Sequence, residues 1–110
     1  MSDKPDHRVF LNGHIDVPAD RLEEVRAALP DHVKLTRAEE GCISFDVIED
    51  QSRPGRFDVS EVFADQQAFD AHQARAQASD WARVTQGIPR HYRIESASNG
   101  GVGQAPSICR

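Results

Sequence analysis

The chain has 110 residues, a net charge of −5 and 38% hydrophobic residues, which fits one small domain. Its basic residues are spread along the sequence rather than gathered into a stripe, so a nucleic-acid-binding surface is not indicated. No apolar run approaches the roughly 18 residues that a membrane span needs, and the polar N-terminus lacks the apolar stretch of a secretory signal. We therefore expect a cytoplasmic protein that binds neither nucleic acid nor membrane.

The first predicted elements are a strand and a helix. Apolar and polar residues alternate from Val9 to Val17, and this period of two is typical of a strand. Asp20 and Glu23 then have the spacing of a capping box, and apolar residues at helical spacing follow. Pro30 lies inside this helix, where it should produce a kink, or a break that opens a second helical segment.

A hairpin follows the first helix. Gly41 is a good helix stop, and an alternating strand runs from Cys42 to Asp50. A Pro-Gly turn connects it to a strand from Arg56 to Phe63, which predicts an antiparallel pair. One side of the first of these strands should carry its larger apolar residues, Ile43, Phe45 and Val47.

The last third of the chain predicts two helices, a strand and a tail. Asp65 can cap a second helix whose inward positions include Phe69 and His72. Asp80 can cap a short third helix, and residues 91–97 alternate as a final strand. We expect a domain over residues 8–97, an N-terminal tail over 1–7 and a flexible C-terminal tail over 98–110.

The order β-α-β-β-α-β predicts an α+β, ferredoxin-like domain. Right-handed crossovers place the first and third strands in the middle of an antiparallel sheet, with the helices on one face. The strands carry apolar residues on both sides, and each large one left in water forgoes roughly 1.5–3 kcal/mol. We therefore expect a homodimer in which the uncovered sheet faces pack together.

Two segments carry a resemblance to a known family: Thr36-Arg37-Ala38-Glu39-Glu40-Gly41-Cys42, and Asp65-Gln66-Gln67-Ala68-Phe69-Asp70-Ala71-His72. In them the chain resembles the antibiotic biosynthesis monooxygenase family of dimeric α+β-barrel proteins, and the resemblance extends over residues 8–97. The third strand of that family often ends in Glu-x-Trp, where this chain has Glu61-Val62-Phe63. The resemblance implies a cavity between helices and sheet in each subunit. It also implies, in many members, oxidation of a phenolic or quinol substrate by O2 without metal or flavin.

His72 is the first candidate catalytic residue. It lies one helical turn after Phe69, on the face that should look into the cavity. An imidazole there could accept a proton from a phenol or hydroquinone and so form the anion that reacts with O2. The alternative is a packed, hydrogen-bonded histidine that takes no part in chemistry.

Three further polar residues are catalytic candidates. Asn12 could orient a substrate oxygen, and His14, on the same side of the first strand, could be a second acid or base. The alternative for both is a solvated or subunit-facing surface. Glu61 shares its side of a strand with apolar residues, where burial would raise its pKa. The alternative for Glu61 is a salt bridge, with Arg93 or another basic residue.

Aromatic residues are the candidates for substrate contact. Phe63, Phe69 and Trp81 could line the cavity, and Trp81 could stack on an aromatic substrate. The five histidines have no paired spacing, so no metal site is expected. No haem is expected either, because the resemblance places Ala82 where the haem-degrading relatives carry their histidine ligand. Cys42 is interpreted as a buried apolar residue.

The leading hypothesis is a homodimeric, cofactor-independent monooxygenase that oxidises a small phenolic or quinol-type aromatic with O2. Two alternatives come from other classes. One is a non-catalytic dimeric module that binds a small ligand. The other is an isomerase of a small phosphorylated sugar, which would need a phosphate clamp. No Gly-rich loop or pair of arginines indicates such a clamp.

Overall fold

The computed structural model describes residues 6–97 and, for the backbone alone, residues 102–104. A short 3-10 turn, Ala19–Arg21, leads from the first strand into the first helix. The helices and strands are β1 Val9–Asp16, α1 Leu22–Arg37, β2 Cys42–Glu49, β3 Arg56–Phe63, α2 Gln66–Gln77, α3 Asp80–Val84, β4 Arg90–Ser96 and β5 Val102–Gln104.

The sheet has the strand order β2-β3-β1-β4-β5, and every pairing is antiparallel. The ferredoxin-like α+β prediction is confirmed, including the interior positions of β1 and β3. The sequence did not indicate β5, which pairs with β4 and falls inside the predicted C-terminal tail. Residues 1–5, 98–101 and 105–110 lie outside the described residues, so the two tails stay predictions.

The apolar core lies between the sheet and the helices. In β1 the odd-numbered residues Val9, Leu11 and Ile15 are buried, and they pack with buried residues of β3. Side chains of one parity share a sheet face, so the even-numbered residues of β1 must lie on the other face. The core continues onto the helices through Val25 and Phe69.

Gly13 marks a close approach between the two strands β1 and β4. A Cβ atom there would lie 2.0 Å from the carbonyl oxygen of His91 and 2.8 Å from the side chain of Tyr92. Tyr92 is also the register partner of Gly13 on β4. The site therefore requires a residue with no side chain.

A β-bulge at the start of β2 changes the predicted pattern of that strand. The pairing shifts register between Cys42 and Ser44, so Ile43 does not share a side with Phe45. Ile43 is 54% exposed, whereas Phe45 is buried. The prediction that Ile43 contributes to the apolar side is therefore wrong. Cys42 packs against the core instead, and burial raises the pKa of its thiol.

The start of α1 differs from its prediction. Asp20 lies within the 3-10 turn, and the N-cap position belongs to Arg21, which makes no side-chain capping bond. The predicted capping box is therefore wrong. Pro30 lies inside a helix that is continuous over Leu22–Arg37, so the predicted break does not occur.

The other two helices begin with side-chain caps. The Asp65 carboxylate accepts a hydrogen bond from the Ala68 amide at 2.8 Å, which confirms the cap predicted for α2. In α3 the cap is Ser79, whose hydroxyl accepts from the Ala82 amide, and Asp80 is the first helical residue. The prediction for that cap is off by one position.

The sheet face away from the helices is called here the outer face. It is more polar than we expected from the apolar residues on both sides of the strands. Its main apolar members are Ile48, which is 63% exposed, and the half-buried register neighbours Phe10 and Val62. The other large apolar residues of β1, Val9, Leu11 and Ile15, point to the helices. Within the described part of the chain, no helix is both long and apolar enough to cross a membrane.

Asp65→Ala should lower the free energy of unfolding by about 1 kcal/mol, because it removes the α2 cap. Asp20→Ala is the matched control, and it should change stability by less than about 0.5 kcal/mol. Urea denaturation of both variants measures the difference. Equal losses in the two would contradict the assignment of Asp65 as a cap and Asp20 as a non-capping residue.

Candidate active site

His72 is held inside the molecule by α2. The buried positions of this helix are Phe69, His72 and Ala76, which follow a helical spacing toward the sheet. The imidazole is only 4% exposed, and its ring centroid lies 4.9 Å from that of Phe63 and 5.7 Å from that of Phe45. The ring therefore projects toward the helix–sheet interior, as predicted.

A carboxylate from the turn between α1 and β2 orients this imidazole. Glu39 Oε1 lies 3.0 Å from Nδ1 of His72, and the other oxygen of Glu39 accepts from the Arg75 guanidinium. Arg75 also donates to the Thr36 hydroxyl at 2.9 Å. A carboxylate only accepts hydrogen bonds, so Nδ1 carries the proton in the neutral ring. Nε2 is then the basic nitrogen.

Glu61 approaches that basic nitrogen from the sheet. It lies on β3 between its register neighbours Leu11 and Phe45, and it is 6% exposed. Its Oε1 is 3.9 Å from Nε2 of His72 and has no hydrogen-bond partner. The alternative of a salt bridge with Arg93 is wrong, because Glu61 points to the core and the Arg93 guanidinium lies 4.0 Å from Glu95.

The protonation states of the two groups are set by their burial. Burial raises the pKa of Glu61 to about 8, with a smaller contribution from the negative charge of Glu39. Burial lowers the pKa of His72, and the contact with Glu39 offsets this only in part. At pH 7 the site therefore presents a neutral imidazole beside a protonated carboxyl group, which is a base beside an acid.

His32 extends this polar interior toward α3, and sequence reasoning missed it. Its ring stacks on Trp81 at 4.8 Å and lies 6.2 Å from the ring of His72. Its Nδ1 is buried without a hydrogen-bond partner, and burial lowers its pKa to about 3. The available signal was its spacing, seven residues after Val25 and four before Thr36 on the buried face of α1.

A cleft of about 590 Å³ opens beside His72. It lies between α2 and the 39–41 turn, and its walls include Gly41, Ala68, His72 and Arg75. Cavities of this size accommodate small organic ligands. A second cleft of about 250 Å³, between α1 and α3, is lined by His32 and Trp81.

The predicted substrate-contacting aromatics are divided between these regions. Phe63 and Phe69 are fully buried and pack against each other at 5.7 Å, and neither lines the cleft beside His72. Trp81 lines the smaller cleft. Phe63 contacts the His72 ring but does not line the cleft, so it supports the imidazole from the core.

Asn12 and His14 are not brought together with His72 and Glu61. As even-numbered residues of β1 they lie on the outer face, where Asn12 is exposed and His14 is half-buried. His14 stacks on His91 with ring centroids 4.8 Å apart. Of the four predicted catalytic residues, the structure therefore joins only His72 and Glu61.

The chain matches the antibiotic biosynthesis monooxygenase family over residues 8–84, and it belongs to that family. This membership supports a monooxygenase-type function. The chain is also 33% identical over 67 residues to an uncharacterized protein of a Synechocystis strain, a match that covers 61% of this chain and 46% of that protein. The chain thus spans about half the length of this relative.

Solved structures share the fold. A Nitrosomonas europaea protein provisionally named an antibiotic biosynthesis monooxygenase superposes with a TM-score of 0.70 at 20% identity, covering 87% of this chain and 94% of that one. MupZ from Pseudomonas fluorescens has a TM-score of 0.72 at 14% identity, covering 91% and 76%. At these identities the similarity establishes the architecture.

Glu61→Gln should stabilise the protein in alkaline solution. The pKa of Glu61 is about 8 in the folded chain against an ordinary value near 4.5, so the folded state binds a proton that the unfolded state has lost. Stability due to this group therefore falls as pH rises from about 4.5 to 8. The variant should melt about 5 °C higher than wild type at pH 8 and should lose this advantage near pH 4.5. The half-exposed carboxylate variant Glu95→Gln is the control, and an equal gain there would contradict the assignment.

His32→Phe should stabilise the protein in mild acid. The pKa of His32 is lowered to about 3, so between about pH 6.5 and 3 the unfolded chain binds a proton that the folded chain does not. Stability due to this group is lost as pH falls through that window. Phenylalanine keeps the stacking on Trp81 and removes the titration. Chemical denaturation at pH 5 and 7.5 checks this, and a benefit that is no larger at pH 5 would count against it.

Proposed function

We propose that this protein is a cofactor-independent monooxygenase that oxidises a small phenolic or quinol-type aromatic with O2. His72 is the proton acceptor, Glu39 is the residue that orients it, and Glu61 is an auxiliary acid. A cytoplasmic location is part of the same proposal. The observation that carries it is the Glu39–His72 contact of 3.0 Å, which leaves Nε2 of a buried, neutral imidazole as a base beside a cleft.

The reaction balances without an added reductant. Nε2 of His72 removes the proton of the phenol, and the phenolate supplies electrons to O2. A carbon–oxygen bond then forms at a ring carbon that carries hydrogen, para to the phenol oxygen in a simple phenol or ortho to it in a hydroquinone, and gives a hydroperoxide. Loss of the hydrogen on that carbon, with cleavage of the O–O bond, yields a quinone and one molecule of water. The substrate loses four electrons, and O2 gains four.

The interior chemistry favours this sequence of proton transfers. A phenolate formed near His72 faces an imidazolium whose positive charge is stabilised by the Glu39 carboxylate 3.0 Å away. Glu61 holds its proton at neutral pH, since its pKa is about 8, so it can donate to the departing hydroxide. Asn12 and His14 lie on the outer face, and the proposed site does not include them.

The same proposal includes a homodimer formed through the outer face. Ile48, Phe10 and Val62 supply its apolar area, and burying an exposed isoleucine is worth about 1.5–3 kcal/mol. A second, non-catalytic candidate function is small-ligand binding alone. It is favoured by the low exposure of His72, 4%, and of Glu61, 6%, which limits direct contact with a substrate.

Removing the base should abolish turnover. We expect His72→Ala to reduce O2 uptake with hydroquinone substrates by about 10²–10⁴-fold, measured with an oxygen electrode and by quinone absorbance. The exposed His7→Ala variant is the control and should retain wild-type rates. Equal uptake by wild type and His72→Ala would exclude His72 from the mechanism. A ligand that raises the melting temperature without forming product would favour the binding module.

In the same assay, Glu39→Gln tests whether Glu39 orients the His72 imidazole for catalysis or has only a structural role. Glu39 raises the pKa of His72, so its loss should move the acidic limb of the kcat/KM profile to lower pH while lowering the maximum rate. A lower rate with an unchanged profile would indicate that Glu39 has only a structural role.

The dimer is tested separately by light scattering at micromolar concentration. We expect twice the chain mass of 12.2 kDa. Ile48→Asp places a charge on the outer face and should shift the mass toward the monomer, whereas Leu35→Asp, at an exposed position on α1, should not. A wild-type mass equal to one chain would contradict the dimer.

A further inference from the structure

The outer face carries a cluster of metal-ligating side chains that the proposed reaction does not use. His14 and His91 are register partners on β1 and β4, and their rings stack at 4.8 Å. Asp16 lies two residues beyond His14 on the same side of β1, and its Oδ2 is 3.6 Å from Nε2 of His14. One ligand atom from each of the three lies within 4.8 Å of the others.

We propose that His14, His91 and Asp16 form a binding site for a divalent first-row transition ion, such as Zn²⁺. Two imidazole nitrogens and one carboxylate oxygen are ligands that suit Zn²⁺, Ni²⁺ and Cu²⁺, whereas Mg²⁺ and Ca²⁺ prefer sets made of oxygen alone. The site is distinct from the cleft beside His72, and the inference does not depend on the proposed oxidation.

The geometry requires only a small contraction. Ligand atoms around a tetrahedral Zn²⁺ are about 3.3 Å apart, given metal–ligand distances near 2.0–2.1 Å. The separations here are 3.6 Å for His14 to Asp16 and at most 4.8 Å for the whole set. In the single chain His14 is half-buried and Asp16 and His91 are exposed. Rotations of these three side chains can close that gap, because the strand pairing already fixes the backbones.

Arg56 positions the carboxylate of this cluster. Its Nε donates to Oδ1 of Asp16 at 2.9 Å and its Nη2 donates to Oδ2 at 3.1 Å. The bound guanidinium fixes the position of the carboxylate beside His14. Each carboxylate oxygen has two lone pairs, and Oδ2 can therefore bind a metal while Arg56 remains bound. The positive charge of Arg56 opposes the binding of any cation, and the two imidazole nitrogens favour a transition ion over Mg²⁺ or Ca²⁺.

The experiment is a calorimetric titration of Zn²⁺ into the full chain after treatment with a chelator. We expect saturable binding of one ion per chain, with His91→Ala and Asp16→Asn each weakening the affinity by at least about tenfold. His7→Ala and Asp46→Asn are matched controls, the second on an exposed position of β2, and both should bind as wild type. Zn²⁺ should raise the melting temperature of wild type and of the controls, but not of the two cluster variants.

Three results would overturn the site. One is the absence of saturable binding, and another is unchanged affinity in both cluster variants, since the ion would then lie elsewhere. The third is a rise in melting temperature with Mg²⁺ equal to that with Zn²⁺. A titration with Co²⁺ tests whether the ion binds at a cysteine instead of at the proposed cluster. Thiolate ligation by a cysteine produces charge-transfer absorption and imidazole–carboxylate ligation does not, so we expect no such absorption. Light scattering with and without Zn²⁺ reads the oligomeric state independently of metal binding.

Discussion

The contact between the Glu39 carboxylate and the His72 imidazole organises the interior of this domain. It joins the turn after α1 to the middle of α2, and Arg75 completes the connection by binding both Glu39 and Thr36. A carboxylate in a partly buried position is stable only when such donors surround it. The same contact fixes the tautomer of His72 and forms one wall of the cleft, so structure and candidate chemistry depend on one set of hydrogen bonds.

Two buried polar residues near this contact each have an atom without a hydrogen-bond partner. His32 keeps one ring nitrogen unpartnered, and Glu61 keeps one carboxyl oxygen unpartnered. Each such buried group costs stability that an apolar side chain would not. Perturbed titratable groups that converge on a cleft are typical of functional sites rather than of structural cores. Both incompletely paired residues therefore lie beside the His72 imidazole that Glu39 orients.

The sequence predicted the strands well because their alternation reflects burial directly. The alternation in β1 grouped Val9, Leu11 and Ile15 on one side and Asn12 and His14 on the other, but it did not say which side faces the helices. The structure places the first group in the core and the second on the outer face, away from His72. The bulge at Ile43 was not predictable, because it is a backbone event that leaves the alternating pattern of residues unchanged.

The candidate site was only partly predictable, for a different reason. The inward position of His72 follows from helical spacing, and the burial of Glu61 follows from strand parity. The partnership of His72 with Glu39, however, joins residues 33 positions apart, and no local pattern encodes it. His32 follows the spacing of the buried face of α1, but the prediction assigned that face from its apolar residues, and a histidine was not considered for it.

Gly13 links the two faces of the sheet. At this position the backbones of β1 and β4 approach so closely that a methyl group would collide with the carbonyl oxygen of His91. The neighbouring residue, His14, faces His91 across the same pair of strands. The distance between the two histidines therefore depends on the absence of a Cβ atom at Gly13, on the opposite face of the sheet. Replacing Gly13 with alanine would push β1 and β4 apart and so separate the rings of His14 and His91 on the outer face.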